Sequence, residues 1–115
     1  MKRTSKAYLG DILEAIDRIR EYIGSMDIEE LKENKLVLDA VMRNLEIIGE
    51  AVTQMPDEIK NRYPTVPWRD IKDFRNVVAH HYFSINILRI WDIIEHKLEP
   101  LEAQINNILK KEKLE

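Results

Sequence analysis

Apolar residues recur at alternating steps of three and four along three long stretches of the chain, and this rhythm limits the fold more than any other feature. The first series is Leu9, Ile12, Ile16, Ile19 and Ile23; the second is Leu38, Val41, Leu45, Ile48, Val52 and Met55. The last and longest is Ile87, Trp91, Ile94, Leu98, Leu101, Ile105 and Ile108. Such spacing lines one face of an α-helix. Sustained over many turns, it is the pattern of nearly aligned helices packed side by side. Thr4 or Ser5 can cap the first helix, and Gly24 stands where it ends. Pro56 stops the second, because the residue before a proline is pushed out of the helical region.

A shorter helix is predicted from about Pro67, a good first-turn residue, to the region of His80. It brings Trp68, Ile71, Phe74 and Val78 to the core. Asp27 and Glu30 make a capping-box-like pair that opens a minor helical turn, and another turn is expected over Asp57 to Arg62. No stretch alternates with the period of two that a strand needs, and no internal repeat is present. The predicted fold is all-α, an antiparallel four- to five-helix bundle in which residues 1–115 form one domain. Pro100 must kink the last helix or divide it. A helix continuous from Ile85 to Leu114 would be on the order of 40 Å long. Its stripe would overhang a domain of this size, which favours a dimer.

The chain has 44% hydrophobic and 34% charged residues, a balance that suits a folded, highly charged protein and excludes a disordered one. It contains no cysteine, so it has neither a disulfide framework nor a thiolate metal site, and it fits a reducing cytoplasm. The basic N-terminus leads into an amphipathic segment rather than an apolar run, so neither a signal peptide nor a membrane span is expected. The net charge of −3 argues against a protein that coats nucleic acid through its overall field. Yet Lys60, Arg62, Arg69, Lys72 and Arg75 cluster together, opposed within that stretch only by Asp70 and Asp73. A basic patch on an acidic protein reads either as a site for phosphate or as a solvated face of mixed charge.

Polar groups crowd an apolar stretch at one place, from Asp73 to Phe83. Arg75 and His80 stand five residues apart and so point about 140° from each other on a continuous helix. Asn76 and His80, four apart, share a face, so Asn76 can hydrogen-bond the imidazole and orient it. A helix ending near His80 would leave His80, His81 and Tyr82 exposed at its exit. Singly, each residue has a plainer reading: the arginine as an ion-pair partner of Asp70 or Asp73, the histidine as a capping or packing residue.

Arg75, four residues, His80, one residue and Tyr82 resemble the R-x4-H-x-Y motif of HepT toxins, members of the HEPN superfamily. The flanking stretches Arg43-Asn44-Leu45-Glu46-Ile47-Ile48-Gly49-Glu50-Ala51 and Tyr63-Pro64-Thr65-Val66-Pro67-Trp68 are similar to the same family, as is Trp91. The resemblance covers the chain from about Leu36 to Leu98. It implies the toxin of a type VII toxin–antitoxin system, an endoribonuclease cleaving tRNA or mRNA without metal or other cofactor. Arg75 and His80 would then be catalytic, assembled in a cleft between the two subunits of a homodimer. Tyr82 would be the residue to which an MntA-like nucleotidyltransferase antitoxin attaches AMP, placing bulk and negative charge where the substrate phosphate must sit. Asp73 departs from the family pattern, in which a small residue, often glycine, is expected two positions before the arginine.

The chemistry such a site would perform follows from its side chains. RNA carries its own nucleophile, the 2′-hydroxyl. His80 titrates near working pH and suits a general base, while Arg75 would stabilise a phosphorane-like transition state. Arg62, Arg69 and Lys72 are candidate phosphate contacts. With three histidines and no cysteine, Asp92 and His96 are the nearest approach to a helical ligand pair, and they read better as a salt bridge. Asp39, Arg43, Glu46 and Glu50 read as a charged network along the second helix. Gly49, costly in mid-helix, reads as room for a close neighbour. Trp68 and Trp91 read as core, and His81 and His96 as surface. The alternative function is a non-catalytic module that binds nucleotide or substrate for a minimal nucleotidyltransferase; a third is a purely structural helical dimer. Loss of His80 should abolish cleavage but spare binding.

Overall fold

The computed structural model describes residues 3–83 and 87–113, with side chains over 3–79 and 87–113. Every regular element among the described residues is helical. Helix α1 spans Ser5–Ile23, α2 Ile28–Glu33, α3 Lys35–Gln54 and α4 Asp57–Arg62. Then come α5 at Trp68–Lys72, α6 at Phe74–Phe83, α7 at Ile87–Asp92, a π-helical turn at Ile93–Lys97, and α8 at Leu98–Lys111.

The start and stop signals act as their chemistry requires. Thr4 Oγ1 accepts the Ala7 N–H at 3.2 Å, occupying a donor that the first turn of α1 leaves unpaired. Gly24 ends that helix with φ of +54° and donates its N–H to the Arg20 carbonyl at 2.9 Å. Asp27 and Glu30 form the full reciprocal capping box, at 2.8 and 3.2 Å. Asn34 caps α3 through Val37 N–H, and Met55 before Pro56 turns to an extended ψ of 133°.

The predicted stripes of the first two long helices form the centre of the core. Leu9, Ile12, Ile16 and Ile19 of α1 meet Val41, Leu45 and Ile48 of α3, all of them fully buried. Helix α3 packs in turn on α5 and α6 through Ile71, Phe74, Val77 and Val78, and α8 closes the bundle against α1 with Leu101, Ile105 and Ile108. Trp68 and Trp91 are only half-buried at the edge of this core, each with its indole N–H bonded, to Tyr63 O at 3.0 Å and to Glu95 Oε1 at 2.7 Å.

The last third of the chain differs from expectation in two ways. First, the buried series runs Ile87, Ile90, Ile93, Leu98, Leu101, rather than through Trp91 and Ile94, which are only partly buried. The step of five from Ile93 to Leu98 would swing an α-helical stripe about 140° away. The π-helical turn restores it, with the Leu98 N–H reaching back to the Ile93 carbonyl. Pro100, just downstream, has no N–H and crowds the preceding turn, and the widened turn is how the helix divides there. Second, Leu101, Ile105 and Ile108 are buried within the same chain. The stripe does not overhang, so it supplies no reason for a dimer.

Core and surface leucines should separate cleanly. Leu45→Ala empties a fully buried site and should cost about 2–5 kcal/mol, whereas Leu36→Ala, at a residue 82% exposed, should change stability by less than about 0.5 kcal/mol. Urea unfolding followed by circular dichroism reads both; equal costs would mean the α1–α3 core is misassigned.

Candidate functional site

Helices α5 and α6 stand where one helix was expected, joined at Asp73, and α6 runs on to Phe83. No glycine or proline lies between Phe74 and Phe83 to end it earlier. The backbones of His80, His81 and Tyr82 therefore lie in the last turn of this helix as it is described. Their side chains fall outside the described residues, and with them the direct geometry of the predicted His80 and Tyr82 roles. On this continuous helix positions 75 and 80 do lie about 140° apart, while 75 and 82, seven residues apart, return to within about 20° of each other.

Arg75 sits in the first turn of α6, and its aliphatic stem crosses α3 at Gly49. A Cβ built on Gly49 would come within 2.5 Å of Arg75 Cγ, 3.2 Å of Cδ and 3.2 Å of the Lys72 carbonyl oxygen. The close neighbour that Gly49 admits is thus the arginine of the motif itself. One turn on, Thr53 donates its hydroxyl to the Gly49 carbonyl at 2.9 Å and lies 3.5 Å from Arg75 Nη1, the outer limit of a hydrogen bond. The guanidinium is exposed, and among the described residues no carboxylate lies within ion-pair distance of it. The plainer reading of Arg75, an ion pair with Asp70 or Asp73, is not met.

Asp73 is turned elsewhere. Its Oδ1 accepts from Asn76 Nδ2 at 2.6 Å and its Oδ2 lies 3.6 Å from Arg89 Nη2 of α7. Its carbonyl accepts the Asn76 and Val77 N–H groups, at 2.9 and 3.1 Å, starting the first turn of α6. Asn76 thus has its amide nitrogen committed to Asp73. Sequence spacing drew attention to Asn76 and His80 but did not reveal this third member. The signal was available: Asp73 and Asn76 are three apart, the reach of a side chain at a helix start.

The cations divide into two groups. Arg69 and Lys72 of α5 border a concavity of about 440 Å³ together with Asp70, Asp73 and Asn76. Arg62 instead forms an ion pair with Glu112 beyond the end of α8. Glu112 also accepts from the Tyr63 hydroxyl at 2.6 Å, and that bond, aided by burial, raises the phenol above the usual tyrosine range. On the far side of Asp70 and Asp73 lies a second groove of about 480 Å³, floored by Phe74, Val77 and Ile93. Arg43 bridges Glu46 at 2.7 Å and Glu50 at 3.9 Å, the network expected along α3. His96 lies 3.6 Å from its neighbour Glu95 and not in the anticipated bridge to Asp92. Among the described residues no three metal-ligating side chains converge.

Comparison with known proteins bears on this arrangement. The profile of the family described as ribonuclease HepT-like matches residues 12–108. A candidate RNase of Methanocaldococcus jannaschii is 39% identical over 109 residues, covering 95% of this chain and 90% of that one. A candidate RNase of Caldanaerobacter subterraneus subsp. tengcongensis is 35% identical over 111 residues, 96% of this chain and 99% of that one. A candidate ribonuclease HepT of Thermococcus cleftensis is 34% identical over 110 residues, 96% and 100% of the two chains. No solved structure matches the chain.

The contact between Gly49 and Arg75 can be read from a double-mutant cycle. Gly49→Ala gains about 1 kcal/mol of helix propensity but forces the arginine stem and the Lys72 carbonyl apart, at about 1–3 kcal/mol. A net loss of stability is expected, and adding Arg75→Ala should recover at least half of it. Additivity within about 0.5 kcal/mol would mean the two residues do not touch.

Proposed function

Because this chain belongs to the ribonuclease HepT-like family, we propose that it is a metal-independent endoribonuclease acting as the toxin of a toxin–antitoxin pair. The observation that carries the reading is Arg75: its stem is fixed across Gly49, while its guanidinium stays exposed and free of carboxylates among the described residues. A fixed, unneutralised guanidinium is suited to a phosphodiester, whose oxygens it can meet with two parallel N–H bonds.

In the proposed reaction the 2′-hydroxyl of RNA gives its proton to His80 and its oxygen attacks the adjacent phosphorus. Arg75 stabilises the negative charge that gathers on the phosphoryl oxygens. The bond from phosphorus to the 5′-oxygen then breaks and that oxygen is protonated, leaving a 2′,3′-cyclic phosphate and a 5′-hydroxyl. Arg75 and His80 diverge by about 140° on α6, so one helix cannot close on both sides of a phosphate. A homodimer resolves this, pairing Arg75 of one subunit with the partner's His80 and supplying a second histidine as the acid. Arg69 and Lys72, beside Asn76, are suited to the flanking phosphates of the strand; Arg62 would have to leave Glu112 to join them. Transfer of AMP to Tyr82 by an MntA-like nucleotidyltransferase would place an anion on the Arg75 side of α6 and oppose substrate phosphate.

Incubated with tRNA in EDTA, the parent protein should cleave, while Arg75→Ala and His80→Ala each lose on the order of 10²-fold or more. Parental inactivity with no AMP adduct by mass, together with retained RNA or nucleotide binding, would favour the non-catalytic binding module instead. Arg69→Ala and Lys72→Ala should weaken RNA binding without changing where it cuts, each lowering the slope of log affinity against log salt by about 1. An unchanged slope would remove these two residues from the RNA path.

A further inference from the structure

Over its middle, helix α3 is buried on most sides and shows the outside a single stripe. Leu36, Ala40, Arg43, Ile47, Glu50 and Gln54 are exposed or half-buried, and they recur at steps of four and three. That is the spacing of a seam along which a second helix can lie. Leu36 is 82% exposed and Ile47 half-buried, so the stripe carries apolar as well as charged surface. Beside it, a groove of about 300 Å³ lies between α1 and α3, with Ala15, Asn44 and Ile47 among its lining. Asn44 is 5% exposed; its Nδ2 donates to the Ala40 carbonyl at 2.9 Å, and its buried Oδ1 has no donor among the described residues. Turning the carboxamide over would set oxygen against oxygen at Ala40, so a flip does not remove the deficit. A buried acceptor left alone is costly and uncommon. It calls for a donor from whatever closes this groove, or from water trapped beneath it.

The charges decide the occupant. Around the stripe they come in opposite pairs: Arg18 with Glu14 on α1, and Arg43 with Glu46 at 2.7 Å and Glu50 at 3.9 Å on α3. Such a face has little net field to draw a polyanion, and suits a surface patterned as it is itself. Arg43 precedes Ile47 by four positions and Glu50 follows it by three. A second α3 laid antiparallel, with the two-fold axis close to Ile47, sets Arg43 of each subunit opposite the partner's Glu50 and brings the two isoleucines together. Within one chain Arg43 and Glu50 stand about 10 Å apart along the helix axis and meet only at the limit of an ion pair. Across the axis they would stand face to face.

We infer that the outward stripe of α3 is the surface on which a second copy of this chain docks, antiparallel, with Arg43 and Glu50 exchanging partners between subunits. The inference rests on the reading of the site as one shared by two subunits, and it names the face. Arg75 crosses α3 at Gly49, the residue next to Glu50, and its exposed guanidinium lies 3.5 Å from Thr53 Oγ1. Docking along α3 carries Arg75 to the subunit boundary, where a partner can complete what one α6 leaves open.

The test uses the full chain and reads its oligomeric state by sedimentation equilibrium, with circular dichroism as the check on folding. The parent should be a dimer. Arg43→Glu and Glu50→Arg each set like charges across the axis and should weaken the dimer by about tenfold or more. Mixed in equal amounts, the two variants should recover most of the parental affinity, because each then offers the other the missing sign. Pairing within one chain gives no such recovery on mixing. A monomeric parent would overturn the proposal, as would a dimer indifferent to both substitutions or one that mixing does not rescue. The chain has no cysteine, so Ile47→Cys gives a second readout that stands even where a charge variant does not fold. A short bis-maleimide should join two Ile47→Cys chains far faster than two Asn107→Cys chains, whose thiol is exposed on α8. Equal rates would overturn the proposal. If the dimer behaves as described but cleaves no RNA in EDTA, the ribonuclease reading fails while the docking face stands.

Discussion

Helices α3 and α6 meet at a point where one of them has no side chain. Gly49 lies in the middle of α3, where a glycine costs about 1 kcal/mol relative to alanine, and the gap it leaves is filled by the stem of Arg75. Much of the local arrangement follows from this contact. It fixes how α6 lies on α3, and hence which way the remaining residues of α6 are turned. It also converts a long, flexible side chain into one whose first methylenes are held, so that less rotamer freedom remains to be lost when the guanidinium meets an anion. Because the nearest obstacle beyond the side chain is the Lys72 carbonyl, the same contact ties α5 to this point as well.

The second organising principle is the disposal of negative charge. The bonded carboxylates among the described residues have partners other than Arg75. Glu46 and Glu50 pair with Arg43 on α3; Asp73 holds Asn76 and approaches Arg89; Glu112 takes Arg62 and Tyr63 beyond the end of α8. These are mostly exposed pairs worth little to stability. Their effect is local and electrostatic: they decide which cations are neutralised. Arg62 and Arg43 are; Arg75 is not, among the described residues. A protein of net charge −3 can in this way keep a positive site without a positive surface.

The helices were legible because burial imposes the three-four rhythm directly on the residues, and their ends because caps are local chemistry: Thr4, Asp27 with Glu30, Gly24 and Pro56 each act within three or four positions of themselves. What escaped was whatever depends on tertiary register. Pro100 announced a break, but the remedy, a widened turn at Ile93–Lys97, replaces Trp91 and Ile94 with Ile90 and Ile93 in the buried series. The stripe of the last helix looked longer than the domain because nothing in its own sequence says that α1 covers it. At the site, Gly49 could be marked as a point of close approach but not matched to Arg75, twenty-six positions away. Asp73 was noticed as an anomaly, but its bond to Asn76, three positions on, was not read from the spacing.

The π-helical turn has a consequence for how the chain can vary. Glu95, His96 and Lys97 within it are all exposed, and no single one of them is held by the core. Their identities are therefore open to exchange, and their number matters in one direction. Deleting one would make the step from Ile93 to Leu98 four, so the turn could close to ordinary α geometry with the stripe from Leu98 to Ile108 still on α1. Inserting one would make the step six, which neither geometry brings back to the buried face, and would carry the stripe off α1. The stretch works as a spacer that can lose its extra residue but cannot gain another.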